Sequence, residues 1–149
     1  MDEKHDGISQ KFEILGGNFA RAGTIATLVK DILQDVGIDS SIIRRAAIAS
    51  YEAEMNVVMY ADHGEFTLEI NPKKITIVIS DRGKGISDIR LAMQEGYSTA
   101  TDEMREMGFG AGMGLPNIKR NADTFKIDSF PGKGTTLQIT FDLNQRTNS

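Results

Sequence analysis

Cysteine and tryptophan are absent from this 149-residue chain, proline occurs three times and histidine twice. Without cysteine there can be no disulfide, no thiolate nucleophile and no sulfur-ligated metal. The two isolated histidines, His5 and His63, give no metal-ligand pattern. An excess of one charge is also missing: 17 Lys and Arg against 21 Asp and Glu leave a net charge of −4, with the signs interspersed. No basic stripe exists to follow a phosphate backbone, which argues against nucleic acid as a partner. No apolar run approaches the ~20 residues of a membrane-spanning helix, and Met1-Asp2-Glu3-Lys4-His5 has no signal-peptide character. The expectation is a cytoplasmic protein with no membrane partner, one domain over 1–149 with frayed tails at 1–9 and 144–149.

Glycine, in contrast, is plentiful and concentrated. Gly108-Phe109-Gly110-Ala111-Gly112-Met113-Gly114-Leu115 alternates glycine with other residues and leads into Pro116, a residue suited to a first helical turn. Each glycine costs roughly 0.5–1 kcal/mol relative to alanine in regular structure, so such a run invites a positive reason. Peptide N–H groups along it can converge on phosphate oxygens, and the helix behind adds its unsatisfied N–H groups and positive dipole end. It is not a P-loop, because no GxxxxGK followed by Ser or Thr occurs. Nor is it a dinucleotide fingerprint, because the polar stretch Thr101–Met107 precedes it in place of an apolar strand.

Periodicity places the other elements. Gln10–Leu15 reads as a strand, and apolar residues at Phe19, Ala22, Ala26, Val29, Leu33 and Val36 predict one helix from 19 to 36, ended by Gly37. Asp39 or Ser40 can cap a second helix over 41–61. Phe66–Ile70 and Ile75–Ile79 alternate as a hairpin around Asn71-Pro72-Lys73-Lys74. Beyond Asp81 come a glycine loop, a short helix near 89–94, a glycine-rich lid over 96–114 and a helix near 115–122. Strands at 125–129 and 136–143 close the chain around Pro131-Gly132-Lys133-Gly134. Paired strands with helices gathered between them predict an α+β two-layer sandwich: a mixed, mostly antiparallel sheet with helices on one face.

Three positions attract chemical attention. Glu52 and Asn56 lie four apart on the second helix and interrupt an apolar face. They are either a pair on a solvated edge, the common fate of helical Glu and Asn, or a working pair. In the second case Asn56 can give a neutral oxygen to Mg²⁺ and Glu52 can orient a nucleophile and take its proton. Asp81 follows an apolar strand and opens Asp81-Arg82-Gly83-Lys84-Gly85. It is either an ordinary Asx turn or an acceptor for an exocyclic amine such as that of adenine. Gly132-Lys133-Gly134-Thr135 alone reads as a hairpin turn.

Taken in order, Glu52-Ala53-Glu54-Met55-Asn56, Asp81-Arg82-Gly83-Lys84-Gly85, Gly108 through Gly114, and Gly132-Lys133-Gly134-Thr135 resemble the four boxes of the GHKL ATPase superfamily, the Bergerat fold. The likeness covers nearly the whole chain. It is similar in particular to the anti-sigma and switch-kinase group of bacterial partner-switching systems. Glu95-Gly96-Tyr97-Ser98-Thr99, Gly110 through Pro116, and Tyr60-Ala61 resemble the serine/threonine switch kinases of the stressosome. The resemblance implies ATP and Mg²⁺ as cofactors and phosphorylation of serine or threonine on STAS-domain scaffold or antagonist proteins. Release to a PP2C-type phosphatase or another output enzyme would follow, and the alternative is an anti-sigma factor that holds a sigma factor when ATP is bound. By the same resemblance Asn56 would hold Mg²⁺ and Glu52 would activate the attacking hydroxyl. Asp81 and Thr135 would contact adenine, Gly83 and Gly85 would admit the nucleotide closely, Gly110, Gly112 and Gly114 would meet the phosphates, and Gly108 and Leu115 would belong to the same nucleotide-binding set. Lys84 stands where the family commonly has proline, and Tyr60 where many relatives have a basic residue. Lys84, Arg105 and Lys119 all stay open as the cation on the phosphates.

Overall fold

The computed structural model describes residues 7–83 and 114–143. Five strands, β1 (Ile8–Leu15), β2 (Ala61–Ile70), β3 (Lys74–Gly83), β4 (Thr124–Phe130) and β5 (Gly134–Asp142), form one open sheet in the order β1-β2-β3-β5-β4. All four pairings are antiparallel, the pure limit of the mostly antiparallel sheet expected. Three helices, α1 (Thr24–Asp35), α2 (Ser40–Tyr60) and α3 (Gly114–Asn121), complete the described α+β architecture.

Alternation sets the two faces of the sheet. Phe66, Leu68 and Ile70 of β2, Ile75, Ile77 and Ile79 of β3, and Leu137, Ile139 and Phe141 of β5 are buried in one core. The core is completed by Val29 and Leu33 of α1, Ala46, Ala49, Ala53 and Val57 of α2, and Leu115 and Ile118 of α3. Each fully buried aliphatic or aromatic side chain contributes roughly 1.5–3 kcal/mol, so this layer holds sheet and helices together. The intervening residues point the other way. One register row there runs Lys11, Thr67, Val78, Gln138, Lys126, and the next Glu13, Glu65, Ser80, Thr136, Asp128.

The predicted helix over 19–36 is two elements. A 3-10 turn at Phe19–Arg21 precedes α1, and Gly23 between them has φ 92°, a left-handed backbone that a helix cannot contain. Ala26, Val29 and Leu33 are buried as their spacing implied, whereas Val36 lies past the helix end and is 41% exposed. Capping of α2 falls to Asp39, whose carboxylate accepts the Ser41 N–H at 3.1 Å. The hairpin is longer than predicted on both strands because β2 starts directly at the end of α2 and β3 continues to Gly83. Asp81 accordingly lies within β3, paired with Thr135, rather than after the strand. The short helix near 89–94 and the lid as far as 113 lie outside the described residues.

Candidate functional site

Helix α2 carries the site's first wall. Ala53, Glu54 and Met55 are buried, while Glu52 and Asn56, one turn apart, are half-buried along a stripe that also includes Arg45, Ile48 and Met59. The Glu52 carboxylate lies over the first turn of α3. Its Oε2 accepts a hydrogen bond from Asn117 Nδ2 at 2.9 Å, and Oε1 is 3.8 Å from the place a Cβ on Gly114 would take. A side chain at 114 would therefore rest against that oxygen, which has no hydrogen-bond partner among the described residues. Farther along, Arg45 Nη1 donates to the carbonyl of Asn121 at 2.9 Å and meets Asp123 Oδ1 at 3.4 Å, so α2 and the end of α3 are stitched at a second point.

The sheet provides the second group. Asp81 Oδ1 accepts from the N–H of Gly83 at 3.0 Å and of Thr135 at 3.2 Å. Oδ1 is thus anchored by two backbone donors, while Oδ2 has no hydrogen-bond partner among the described residues. Burial pushes the Asp81 carboxyl above its ordinary range, and the two backbone bonds partly offset this. Thr135 is buried and its hydroxyl lies 2.7 Å from that of Ser129. The strands approach closely here for want of one Cβ: a Cβ on Gly134, φ 108°, would stand 2.1 Å from the Asp81 carbonyl oxygen. Gly83 is confined likewise, 2.8 Å from Tyr60 O by the same measure.

Of the predicted set, Glu52, Asn56, Asp81, Gly83, Gly114, Leu115 and Thr135 are described. Glu52 and Gly114 are brought together, as are Asp81, Gly83 and Thr135. Leu115 buries its side chain in the core, which leaves only its backbone for a ligand. Gly85, Gly108, Gly110 and Gly112 lie outside the described residues, as do Lys84 and Arg105 among the candidate cations.

Sequence reasoning passed over Asn117 and Glu54. Glu54 is 2% exposed, and its carboxylate accepts the N–H groups of Gly23, Ile25 and Ala26 at 3.1–3.3 Å, so it caps α1 from a neighbouring helix. Burial raises its carboxyl above the ordinary range against those three hydrogen bonds. Its signal was present in the helical wheel: at 100° per residue Glu54 falls with Ser50, Val57 and Val58 on the apolar side. Nothing in the local pattern marks Asn117.

Residues 42–145 match the family model of histidine kinase-, DNA gyrase B- and HSP90-like ATPases. The chain belongs to this ATPase family. Membership implies ATP binding. Among curated relatives of this GHKL chain, the serine/threonine-protein kinase RsbT of Bacillus subtilis (strain 168) is 32% identical over 115 residues, 74% of this chain and 80% of the relative. The anti-sigma F factor of Thermoanaerobacter sp. (strain X514) is 42% identical over 71 residues, but the match spans 48% of this chain and 46% of that protein. The anti-sigma F factor of Clostridium acetobutylicum is 29% identical over 127 residues, 80% of each. In three dimensions the RsbU and RsbW domains of a Mycobacterium tuberculosis protein align with a TM-score of 0.60 at 17% identity, over 90% of this chain and 32% of that one. That likeness supports the GHKL fold. Among the described residues no helix is long and apolar enough to cross a membrane.

Proposed function

We propose that this domain is an ATP-dependent serine/threonine protein kinase of a partner-switching pathway, acting on STAS-domain scaffold or antagonist proteins and then binding a PP2C-type phosphatase or another output enzyme. The observation that carries the reading is the Glu52 carboxylate, set on α2 over the first turn of α3 with one oxygen tied to Asn117 and the other beside Gly114, without a hydrogen-bond partner among the described residues. A base in that place can take the proton of a serine or threonine hydroxyl as its oxygen bonds to the γ-phosphorus and ADP departs. The donor chemistry suits the nucleotide at both ends. Asp81 Oδ2 can accept the adenine amine, with Thr135 and Gly83 holding the carboxylate in place. Asn56, one turn from Glu52, would offer a neutral side-chain oxygen to a magnesium ion, which would supply charge neutralisation for the phosphates. Overall catalysis by such a site is chiefly positioning and charge stabilisation, and the N-terminus of α3 adds its dipole on the phosphate side.

The relationship to RsbT supports the kinase reading, and the relationship to anti-sigma F factors supports a second one, sequestration of a sigma factor in the ATP-bound state. Incubation with radiolabelled ATP and candidate STAS proteins separates the two. A kinase leaves label on the partner, and Glu52→Ala abolishes transfer while ATP binding persists. Absence of label on every STAS protein, together with ATP-dependent capture of a sigma factor, establishes the second reading and refutes the first.

A further inference from the structure

Asn117 stands between a cation and an anion, and its orientation is fixed by both. Arg120 Nη1 donates to its Oδ1 at 3.3 Å, and Asn121 Nδ2 donates to its carbonyl at 2.8 Å and to Oδ1 at 3.4 Å. A guanidinium only donates and a carboxylate only accepts, so the amide has one satisfied placement: oxygen toward Arg120, nitrogen toward Glu52. That nitrogen holds Glu52 Oε2 at 2.9 Å, one helical turn beyond Gly114, and Oε1 has no hydrogen-bond partner among the described residues. The hydrogen bond is the only one to the Glu52 carboxylate among the described residues.

We propose that Asn117 is the positioning residue for Glu52: its side-chain amide pins Oε2 to α3 and thereby aims Oε1 at the hydroxyl to be activated. The inference rests on the kinase reading, in which Glu52 is the base. It also goes further, because the base is then aligned by the helix that follows the glycine-rich segment, and a shift of α3 would carry Glu52 into or out of line. A misdirected base loses rate rather than nucleotide affinity, since proton transfer demands hydrogen-bond reach in the reacting geometry.

The decisive variant is Asn117→Asp, which keeps size and both acceptor contacts but replaces the one donor with an oxygen. Turnover of Mg·ATP with water as acceptor, followed by ADP release, should show kcat lowered about 10- to 100-fold, the range expected for a lost hydrogen bond to a charged group, with KM for ATP unchanged. Asn117→Gln, which restores the donor on a longer arm, should recover part of that loss. Independently of turnover, the ¹⁵N-labelled side-chain amide of Asn117 should shift in Glu52→Ala. Wild-type kcat in Asn117→Asp, a parallel loss of kcat and nucleotide affinity, or an Asn117 amide indifferent to Glu52→Ala would each overturn the proposal. Glu52→Ala run alongside separates the two levels of inference. If it is inactive while Asn117→Asp is not impaired, only the role of Asn117 falls, and if it turns over like the wild type, the role of Glu52 as base falls with it.

Discussion

Asp81 has one oxygen anchored by two backbone donors and one with no hydrogen-bond partner among the described residues, and its proposed contact with adenine is testable by changing a single atom. Asp81→Asn keeps the shape but removes the charge, so a charge-assisted bond to the adenine amine, worth roughly 1.5–3 kcal/mol, should be lost and ATP affinity should fall about 10- to 150-fold by calorimetry. Because burial raises this carboxyl, affinity should also weaken as the pH falls toward its raised pKa, where the acceptor becomes protonated. Ser50 is a residue of the opposite kind. It is completely buried on α2 and its hydroxyl has no hydrogen-bond partner among the described residues. Leaving such a group dry costs about 1–3 kcal/mol, so Ser50→Ala should raise stability by about 1 kcal/mol in urea unfolding. A destabilised variant would reveal a partner for that hydroxyl in solution.

Helices α1 and α2 meet through a carboxylate, which is where local reading of the sequence stopped short. The spacing of Ala26, Val29 and Leu33 gave a helix, but not its start, because the group that caps it comes from Glu54, 28 to 31 residues away. Asp39 could be found as the cap of α2 because it is adjacent in sequence. The β2–β3 hairpin, the β4–β5 pair and the direction of the core were legible from alternation alone. The Asp81–Thr135 pairing was not, since it depends on the close approach allowed by Gly134. The site divides in the same manner. Glu52 and Asn56 are visible as a helical pair, whereas Asn117 is a partner only once α3 is laid against α2. Glu54→Ala strips three backbone donors of their acceptor and should cost about 2–3 kcal/mol in thermal or chemical unfolding. For its pH dependence, the folded state holds the Glu54 proton more tightly than the unfolded chain does. That contribution is complete below the ordinary carboxylate pKa and is lost as the pH rises through the raised folded value. The stability advantage of wild type over Glu54→Gln should therefore shrink as pH increases across that window, and a widening gap would contradict the direction.

In the molecule as a whole, the described helices and candidate chemistry lie on one side of the sheet, and the other side carries mostly polar and charged side chains, with Val78 among them. A ligand that joins α2, α3 and the β3–β5 strands should stabilise all of them together. At 100 times its dissociation constant, Mg·ATP should add about 2.7 kcal/mol to the folding free energy, seen as a raised melting temperature. Removing magnesium or introducing Asn56→Ala should cut that gain, and an equal shift in all three conditions would exclude a metal contact at Asn56. The two glutamates of α2 have one more mechanical effect. Two residues apart, Glu52 and Glu54 leave the helix about 200° from each other, one fastened to α3 and the other to α1. Fastened on opposite sides, α2 is a shared strut between α3 and α1, and loss of either carboxylate removes the polar anchor on that side.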